Sequence, residues 1–196
     1  MFFSDAIFAI ALTLLVLGIQ VPQIPSGSEA ALLPSALLGL WPKFFSFLIS
    51  FWVVGSFWLA HHHVFSHIRA YDRPLLLINL LFLMWIVLLP FSTSLVGEYG
   101  NQQIVVIIYA VHVAVASLSL WWVGNHASRN PRLMNVARVD PRELRYNELQ
   151  SMAVPVVFLL SIGVSFFSVS ATEYFWLLGF LIRPVLAWVL GGRSRE

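Results

Sequence analysis

Six apolar stretches, each close to the length of a membrane-spanning helix, dominate this sequence of 196 residues. A helix needs about 20 apolar residues to cross a hydrocarbon core of about 30 Å. Because 59% of the residues are hydrophobic and only 10% are charged, water cannot be the main solvent of the chain. We therefore predict an all-α integral membrane protein that forms a single six-transmembrane-helix bundle. Its spans are predicted at approximately 2–21, 42–66, 74–96, 103–124, 150–170 and 172–191.

Polar and helix-breaking residues separate the predicted spans. Pro22 and Pro25 end the first span, and the polar residues 26–29 form a loop before the second. The longest polar stretch is the basic loop 125–149, which we predict to be cytoplasmic and to contain a short surface helix. The sequence shows no internal repeat, so one domain is expected.

The distribution of basic residues indicates how the chain is oriented. Arg69 and Arg73 follow the second span, the basic loop follows the fourth, and Arg193 and Arg195 lie at the C-terminus. The loops on the opposite side contain only Lys43 as a cation. Because cytoplasmic loops are enriched in lysine and arginine, we predict a multi-pass protein with both termini in the cytoplasm.

The composition excludes several classes of function. The chain has no cysteine, so disulfides, thiolate chemistry and cysteine-bound metals are excluded. The arginines lie in short loops and not along one stripe, so the net charge of +2 does not indicate a nucleic-acid partner. No Ser/His/Asp or cysteine arrangement is recognisable, and we do not expect an enzyme.

The first predicted span carries a candidate functional face. Ile10, Leu14 and Leu17 fall at i, i+4 and i+7 and share one side of a helix, and Thr13 lies close to the same stripe. Ordinary lipid or bundle packing accounts for such a stripe, with Thr13 bonding back to its own helix. Alternatively, the face lines a pore, where rings of aliphatic side chains form a constriction that dewets. That reading requires an oligomer, because one helix per subunit cannot enclose a channel.

Histidines cluster at the end of the second predicted span. Successive helical residues point about 100° apart, so residues 61–63 cannot converge on one metal ion. His63 and His67 have the i, i+4 spacing of a shared ligand pair, but no carboxylate lies near them on the same helix. The remaining histidines, His112 and His126, are isolated in the sequence. We therefore predict no metal site.

Polar groups at membrane depth must find partners within the protein, because lipid offers none. Asp5, the histidines of the second span and Asn79 are candidates for one network near the cytoplasmic side. Arg183, which precedes Pro184 in the last span, is expected to reach toward water or to pair internally.

Two short motifs occupy defined places in the first two spans. They are Phe3-Ser4-Asp5-Ala6 at the start of the first and Trp58-Leu59-Ala60-His61-His62 in the second. Together with the six-span layout, they resemble the bacterial members of the transmembrane protein 175 family, the endo-lysosomal potassium channel family. The resemblance implies a potassium-selective leak channel of the bacterial inner membrane. It also implies a homotetramer in the lipid bilayer, with potassium as the permeant ion and no cofactor.

The same resemblance implies a role for each candidate residue. The first helix of each subunit would line the pore, with Ile10 as the main hydrophobic constriction and Leu14 and Leu17 as further rings. Thr13 would form a hydroxyl layer that favours potassium. A support network would hold this helix against the second and third helices. Its members would be Ser4, Asp5, Trp58, His61, His62 and Asn79.

Two further expectations come from comparing the sequence with the family pattern. No Thr-Val-Gly-Tyr-Gly or similar sequence occurs between any two spans, and we predict no re-entrant filter loop, as the family implies. The family motif begins with an arginine four residues before the phenylalanine, whereas this chain starts at Met1. We therefore expect a truncated chain or a start assigned downstream, and an incomplete network around Asp5.

A histidine-dependent proton-linked or metal-ion transporter is the alternative function. It would use His63, His67 and Asp72, and it predicts saturable uptake that depends on the histidines. The sequence lacks the paired discontinuous helices and the inverted repeat that many such transporters contain, which argues against this alternative.

Overall fold

The computed structural model describes residues 2–134 and 155–178. Within these ranges the regular secondary structure is helical, apart from one isolated antiparallel bridge between Ile68 and Met134. The helices are α1 (Phe2–Leu15), α2 (Glu29–Gly39), α3 (Trp41–Ser66), α4 (Arg73–Tyr99), α5 (Gln103–Ser128), α6 (Pro155–Ser165) and α7 (Val169–Phe175).

Three helical stretches are long and apolar enough to cross a membrane. They are the continuous stretch Glu29–Ser66, which contains α2 and α3, together with α4 and α5. They overlap the predicted spans 42–66, 74–96 and 103–124. The fold is therefore that of an all-helical, multi-pass membrane protein.

The first helix is shorter than the predicted span 2–21. α1 ends at Leu15 and continues as a 3₁₀ turn at Val16–Gly18, after which Ile19 is extended. Gly18 lies against α4, since a Cβ at this position would meet Ser94 Oγ at 2.9 Å. A 3₁₀ turn commonly tightens the end of an α-helix, and here it ends at Gly18, which lies against Ser94 of α4.

A helix also forms between residues 29 and 39, where the sequence predicted only a loop and a connection to the second span. Gly27 adopts a left-handed φ of 88°, and its amide donates to Glu29 Oε2 at 2.8 Å. α2 begins at Glu29 and accommodates Pro34 in its interior. The predicted loop 26–29 is therefore a tight turn that leads directly into a helix.

The break between the last two described helices also differs from the prediction, which ended one span at 170 and began the next at 172. α6 ends at Ser165, and α7 begins at Val169, where Ser168 Oγ accepts from the Ala171 amide at 3.2 Å. The first four residues of the predicted loop 125–149 belong to α5. Residues 135–149 of that loop, where a surface helix was expected, and Arg183 lie outside the described residues.

α4 is the central helix of the described bundle, because it packs against α1, α3 and α5. A buried hydroxyl chain joins three of these helices, with Thr93 Oγ1 donating to Ser50 Oγ at 2.7 Å and Ser50 Oγ lying 2.8 Å from the Tyr109 hydroxyl. Because lipid cannot satisfy polar groups at this depth, these residues satisfy one another.

His112, which lies apart from the other histidines in the sequence, makes two contacts with α4. Its Nε2 donates to the Trp85 carbonyl oxygen at 2.8 Å, and its Nδ1 lies 2.9 Å from Ser92 Oγ. Both partners belong to α4 on either side of Pro90, which lacks an amide hydrogen and cannot complete the helical ladder. His112 therefore ties α5 to the interrupted turn of α4.

Candidate functional site

The first helix has two opposite faces in the structure. Ser4, Phe8, Ala11 and Leu15 are buried, and they follow the i, i+4, i+7, i+11 pattern of a single helical face. This face packs against α3 and α4. It is the surface that attaches α1 to the rest of the chain.

The candidate stripe lies on the uncovered side of α1 and of the 3₁₀ turn Val16–Gly18, which contains Leu17. Ile10 is 58% exposed, Leu14 39% and Leu17 67%, and Thr13 is exposed between them. An exposed apolar face on a membrane helix must meet lipid, another subunit or an ion pathway. The structure thus separates the candidate stripe from the packing face of α1.

Thr13 places a hydroxyl group on this otherwise aliphatic stripe. Its Oγ1 donates to the Ile10 carbonyl at 2.8 Å, which is the backbone bond that a threonine commonly makes within a helix. A hydroxyl oxygen that donates its proton still has lone pairs. Thr13 can therefore accept from water or coordinate a cation without losing its bond to the backbone.

Three of the predicted support residues form a buried hydrogen-bonded chain across three helices. His61 Nε2 on α3 lies 2.9 Å from Asn79 Oδ1 on α4, and Asn79 Nδ2 donates to Ser4 Oγ on α1 at 3.4 Å. Because Asn79 Oδ1 only accepts, this arrangement assigns the proton of His61 to Nε2. The chain fixes the start of α1 against both neighbouring helices.

Aromatic rings enclose the His61 imidazole, which is only 1% exposed. The ring centroids of Phe65 and Phe82 lie 4.2 and 5.7 Å from that of His61, and both rings stack on it. Phe8 of α1 lies 5.6 Å from His61. Phe8 and Phe82 were not predicted from the sequence to contact His61, although Phe8 lies one turn beyond Ser4.

The other three predicted support residues, Asp5, Trp58 and His62, form a second contact between α1 and α3. Trp58 Nε1 donates to Asp5 Oδ1 at 3.1 Å, and the His62 ring lies 5.8 Å from the Trp58 ring. Among the described residues, no hydrogen bond joins this contact to the chain through Asn79. Where the sequence analysis expected one network, the structure thus shows two separate contacts.

The residues of the alternative transporter do not converge on one site. His67 Nδ1 lies 2.9 Å from the His63 carbonyl oxygen, whereas Asp72 Oδ2 lies 3.1 Å from His126 Nε2 on α5. His126, which lies apart from the other histidines in the sequence, thus contacts Asp72. Within the described residues, no group of three or more His, Cys, Asp or Glu side chains is arranged to hold a metal ion.

Asp72 also caps α4, and the contribution of this cap to the stability of the fold depends on pH. The Leu75 amide donates to its carboxylate at 2.8 Å. This amide, together with His126, holds the pKa of Asp72 below its usual value. A carboxylate with a lowered folded-state pKa stabilises the fold above its unfolded-state pKa, and the stabilisation is lost as the pH falls through the lowered value.

We expect the Asp72→Ala variant to melt at a lower temperature than the parent at pH 7. The difference between the two melting temperatures should become smaller as the pH falls below about 4. Asp72→Asn should retain the cap, since asparagine is a good N-cap residue, and should lose only the contribution of the charge. Thermal melting in detergent from pH 7 to pH 3 measures both effects. A difference between Asp72→Ala and the parent that stays constant over this range would contradict the assignment.

The fold and the face of α1 define a multi-pass membrane protein of the helical type. The family model described as "Endosomal/lysosomal potassium channel TMEM175" matches residues 1–90. A protein named a potassium channel from Streptomyces collinus is 35% identical over 179 residues, covering 87% of this chain and 82% of that protein. The chain belongs to the TMEM175 family, which confirms the resemblance that the two motifs indicated.

Other relatives support the same assignment. A protein from Chamaesiphon minutus, also named a potassium channel, is 35% identical and covers 85% of this chain and 83% of its own length. The crystal structure of a lysosomal potassium-selective channel TMEM175 homolog from the same organism has a TM-score of 0.76 and 31% identity, covering 99% of this chain and 95% of that one. The human endosomal/lysosomal proton channel TMEM175 is 33% identical over 105 residues, which is 51% of this chain and 21% of the human protein.

Proposed function

We propose that this chain is a subunit of a potassium-selective leak channel and not an enzyme. The proposal rests on the uncovered stripe formed by Ile10, Thr13 and Leu14 of α1 and by Leu17 of the 3₁₀ turn that follows it. The relatives of the chain are named potassium channels. The stripe is apolar, interrupted by one hydroxyl group, and held in place by contacts on the opposite face of the same helix.

In the proposed pore, the first helices of several subunits surround a central axis. Ile10 then forms the main hydrophobic constriction, and Leu14 and Leu17 form two further rings toward the end of α1. A narrow aliphatic ring expels water and blocks ions until it widens or becomes wet. The constriction thus regulates conduction without a charged group in the ion path.

Thr13 is the proposed selectivity layer. Its hydroxyl oxygen lies on the stripe between Ile10 and Leu14, and it keeps acceptor capacity while donating to the backbone. Potassium gives up hydration water at a lower cost than sodium, so a ring of weak oxygen ligands favours potassium. No re-entrant filter loop is needed for this discrimination.

The proposed assembly is a homotetramer with six spans in each subunit. Four copies of α1 would place the stripe around a closed axis, which one copy cannot do. We further propose that the protein resides in the bacterial inner membrane with both termini in the cytoplasm. The start of α1 then lies on the cytoplasmic side, together with the loop that carries Arg69 and Arg73.

Reconstitution of the purified full chain into lipid vesicles tests the proposal. Under an outward potassium gradient, we expect potassium flux that does not saturate with concentration and that exceeds sodium flux under the same gradient. The His63→Ala/His67→Ala variant should conduct like the parent. Saturable flux that requires these histidines would support the transporter alternative. The absence of ion flux from correctly folded protein would refute both the channel and the transporter.

A further inference from the structure

Two basic segments from different parts of the chain meet at one end of the bundle. The Arg69 amide donates to the Leu133 carbonyl oxygen at 2.8 Å, and Ile68 pairs with Met134 in an antiparallel bridge. Ile68 and Leu133 are both buried in a small apolar cluster with residues of α4 and α5. The segment after α3 and the segment after α5 are therefore joined by backbone bonds and by buried side chains.

This junction brings four exposed arginines together at the ends of α3, α4 and α5. We call them the arginine platform: Arg69, Arg73, Arg129 and Arg132. Arg129 Nε donates to Asn125 Oδ1 at 3.2 Å. Among the described residues, no ion pair joins any platform arginine to a carboxylate. The platform is thus a concentrated positive charge on a defined backbone.

The acidic residue within these segments does not neutralise the platform. Asp72 accepts from the Leu75 amide and lies within hydrogen-bond distance of His126 through both carboxylate oxygens. Arg73 occupies the first position of α4, where the helix dipole disfavours a positive charge. Helix stability therefore does not account for Arg73, and among the described residues no carboxylate forms an ion pair with it.

We propose that the arginine platform binds the phosphate groups of acidic phospholipids in the leaflet at this end of the bundle. The platform lies at the ends of three membrane-crossing helices, where headgroups are the nearest anions. Guanidinium groups match phosphate oxygens through paired hydrogen bonds. Tyr71, which is exposed between Arg69 and Arg73, adds an aromatic ring of the kind enriched at headgroup level.

Native mass spectrometry of the purified full chain tests this proposal without depending on ion conduction. The protein is titrated with phosphatidylglycerol and, separately, with phosphatidylcholine carrying the same acyl chains. We expect tighter binding of phosphatidylglycerol, and an affinity about 30-fold weaker in Arg69→Gln/Arg132→Gln, because each basic residue near a membrane contributes about 1 kcal/mol. Arg69→Lys/Arg132→Lys should lie between the two, since lysine keeps the charge but lacks the planar fork.

The matched control is Arg193→Gln/Arg195→Gln, which removes the same number of charges from the C-terminal residues and should weaken the binding of phosphatidylglycerol much less than the platform variant does. If Arg69→Gln/Arg132→Gln does not fold, the same titration is carried out on Arg73→Gln/Arg129→Gln, which should lose the same affinity for phosphatidylglycerol. The proposal is overturned if the platform variant binds within about twofold of the parent or if the control loses as much. Equal binding of phosphatidylcholine, or equal competition by soluble glycerol phosphate, would also overturn it.

Discussion

Replacing Ile10 with alanine is expected to raise potassium flux into vesicles about tenfold, which corresponds to a barrier lowered by about 1.4 kcal/mol. Ile10 is 58% exposed on the stripe that we assign to the pore. A smaller side chain widens the aliphatic ring and makes its wetting easier. Because an ion then keeps more of its water while it crosses, the variant should also discriminate less between potassium and sodium.

Ile108→Ala is the matched control for this experiment. Ile108 is also exposed, on α5 instead of α1, so the same atoms are removed from a helix that we do not assign to the pore. The control should conduct like the parent, with the same ratio of potassium to sodium flux. An Ile10→Ala variant that folds and also conducts like the parent would refute the assignment of α1 to the pore, whatever the function of the chain.

The two faces of α1 show what the sequence could and could not predict. The spacing of Ile10, Leu14 and Leu17 placed them on one face, and the structure leaves that face uncovered. Spacing alone could not separate a pore from lipid, because both surroundings accept aliphatic side chains. The motif resemblance, and not the periodicity, gave the reason to prefer a pore.

The contacts of α4 show why helix faces are hard to predict in a membrane protein. Leu75 and Phe82 are buried in the bundle, whereas Leu76 and Leu80 are exposed. In a soluble protein polar residues would mark the outward face, but here both faces are apolar. Phe8 and Phe82, which contact His61 from α1 and α4, were missed for this reason, since contacts between side chains of different helices give no local pattern.

Polar pairs were predicted better, because a polar group at membrane depth requires a partner. Asn79 and His61 were expected to share a network, and they lie 2.9 Å apart. The partner of Asp72 was not predicted. His126 lies 54 positions further along the chain, and its approach depends on how α5 packs against α4.

The bond between His61 and Asn79 should contribute measurably to the stability of the protein and to the position of α1. Asn79→Leu keeps the shape of the side chain but leaves His61 Nε2 and Ser4 Oγ without their partner. An unsatisfied buried polar group costs about 1–3 kcal/mol. We therefore expect the variant to unfold at a lower denaturant concentration, with a loss of stability in that range.

A double-mutant cycle distinguishes this bond from simple packing. His61→Phe places an apolar ring between Phe65 and Phe82 and leaves Asn79 without its partner, so it should also destabilise the protein. The double variant removes both polar groups, and replacing both members of a hydrogen bond by apolar groups of similar shape can be nearly neutral. Its loss of stability should thus be smaller than the sum of the single losses.

Strictly additive losses would show that the two residues act independently and that the bond does not anchor α1.

Potassium flux measured on the same three variants tests whether this anchor of α1 affects conduction. If the chain from His61 through Asn79 to Ser4 positions α1, Asn79→Leu should alter potassium flux, although Asn79 lies on α4 and away from the stripe. The double variant should regain stability but not the parent flux, because it lacks the polar contact of Asn79 to Ser4. Stability and conduction then respond differently to the same pair of substitutions, as expected of residues that hold a pore helix without lining the pore.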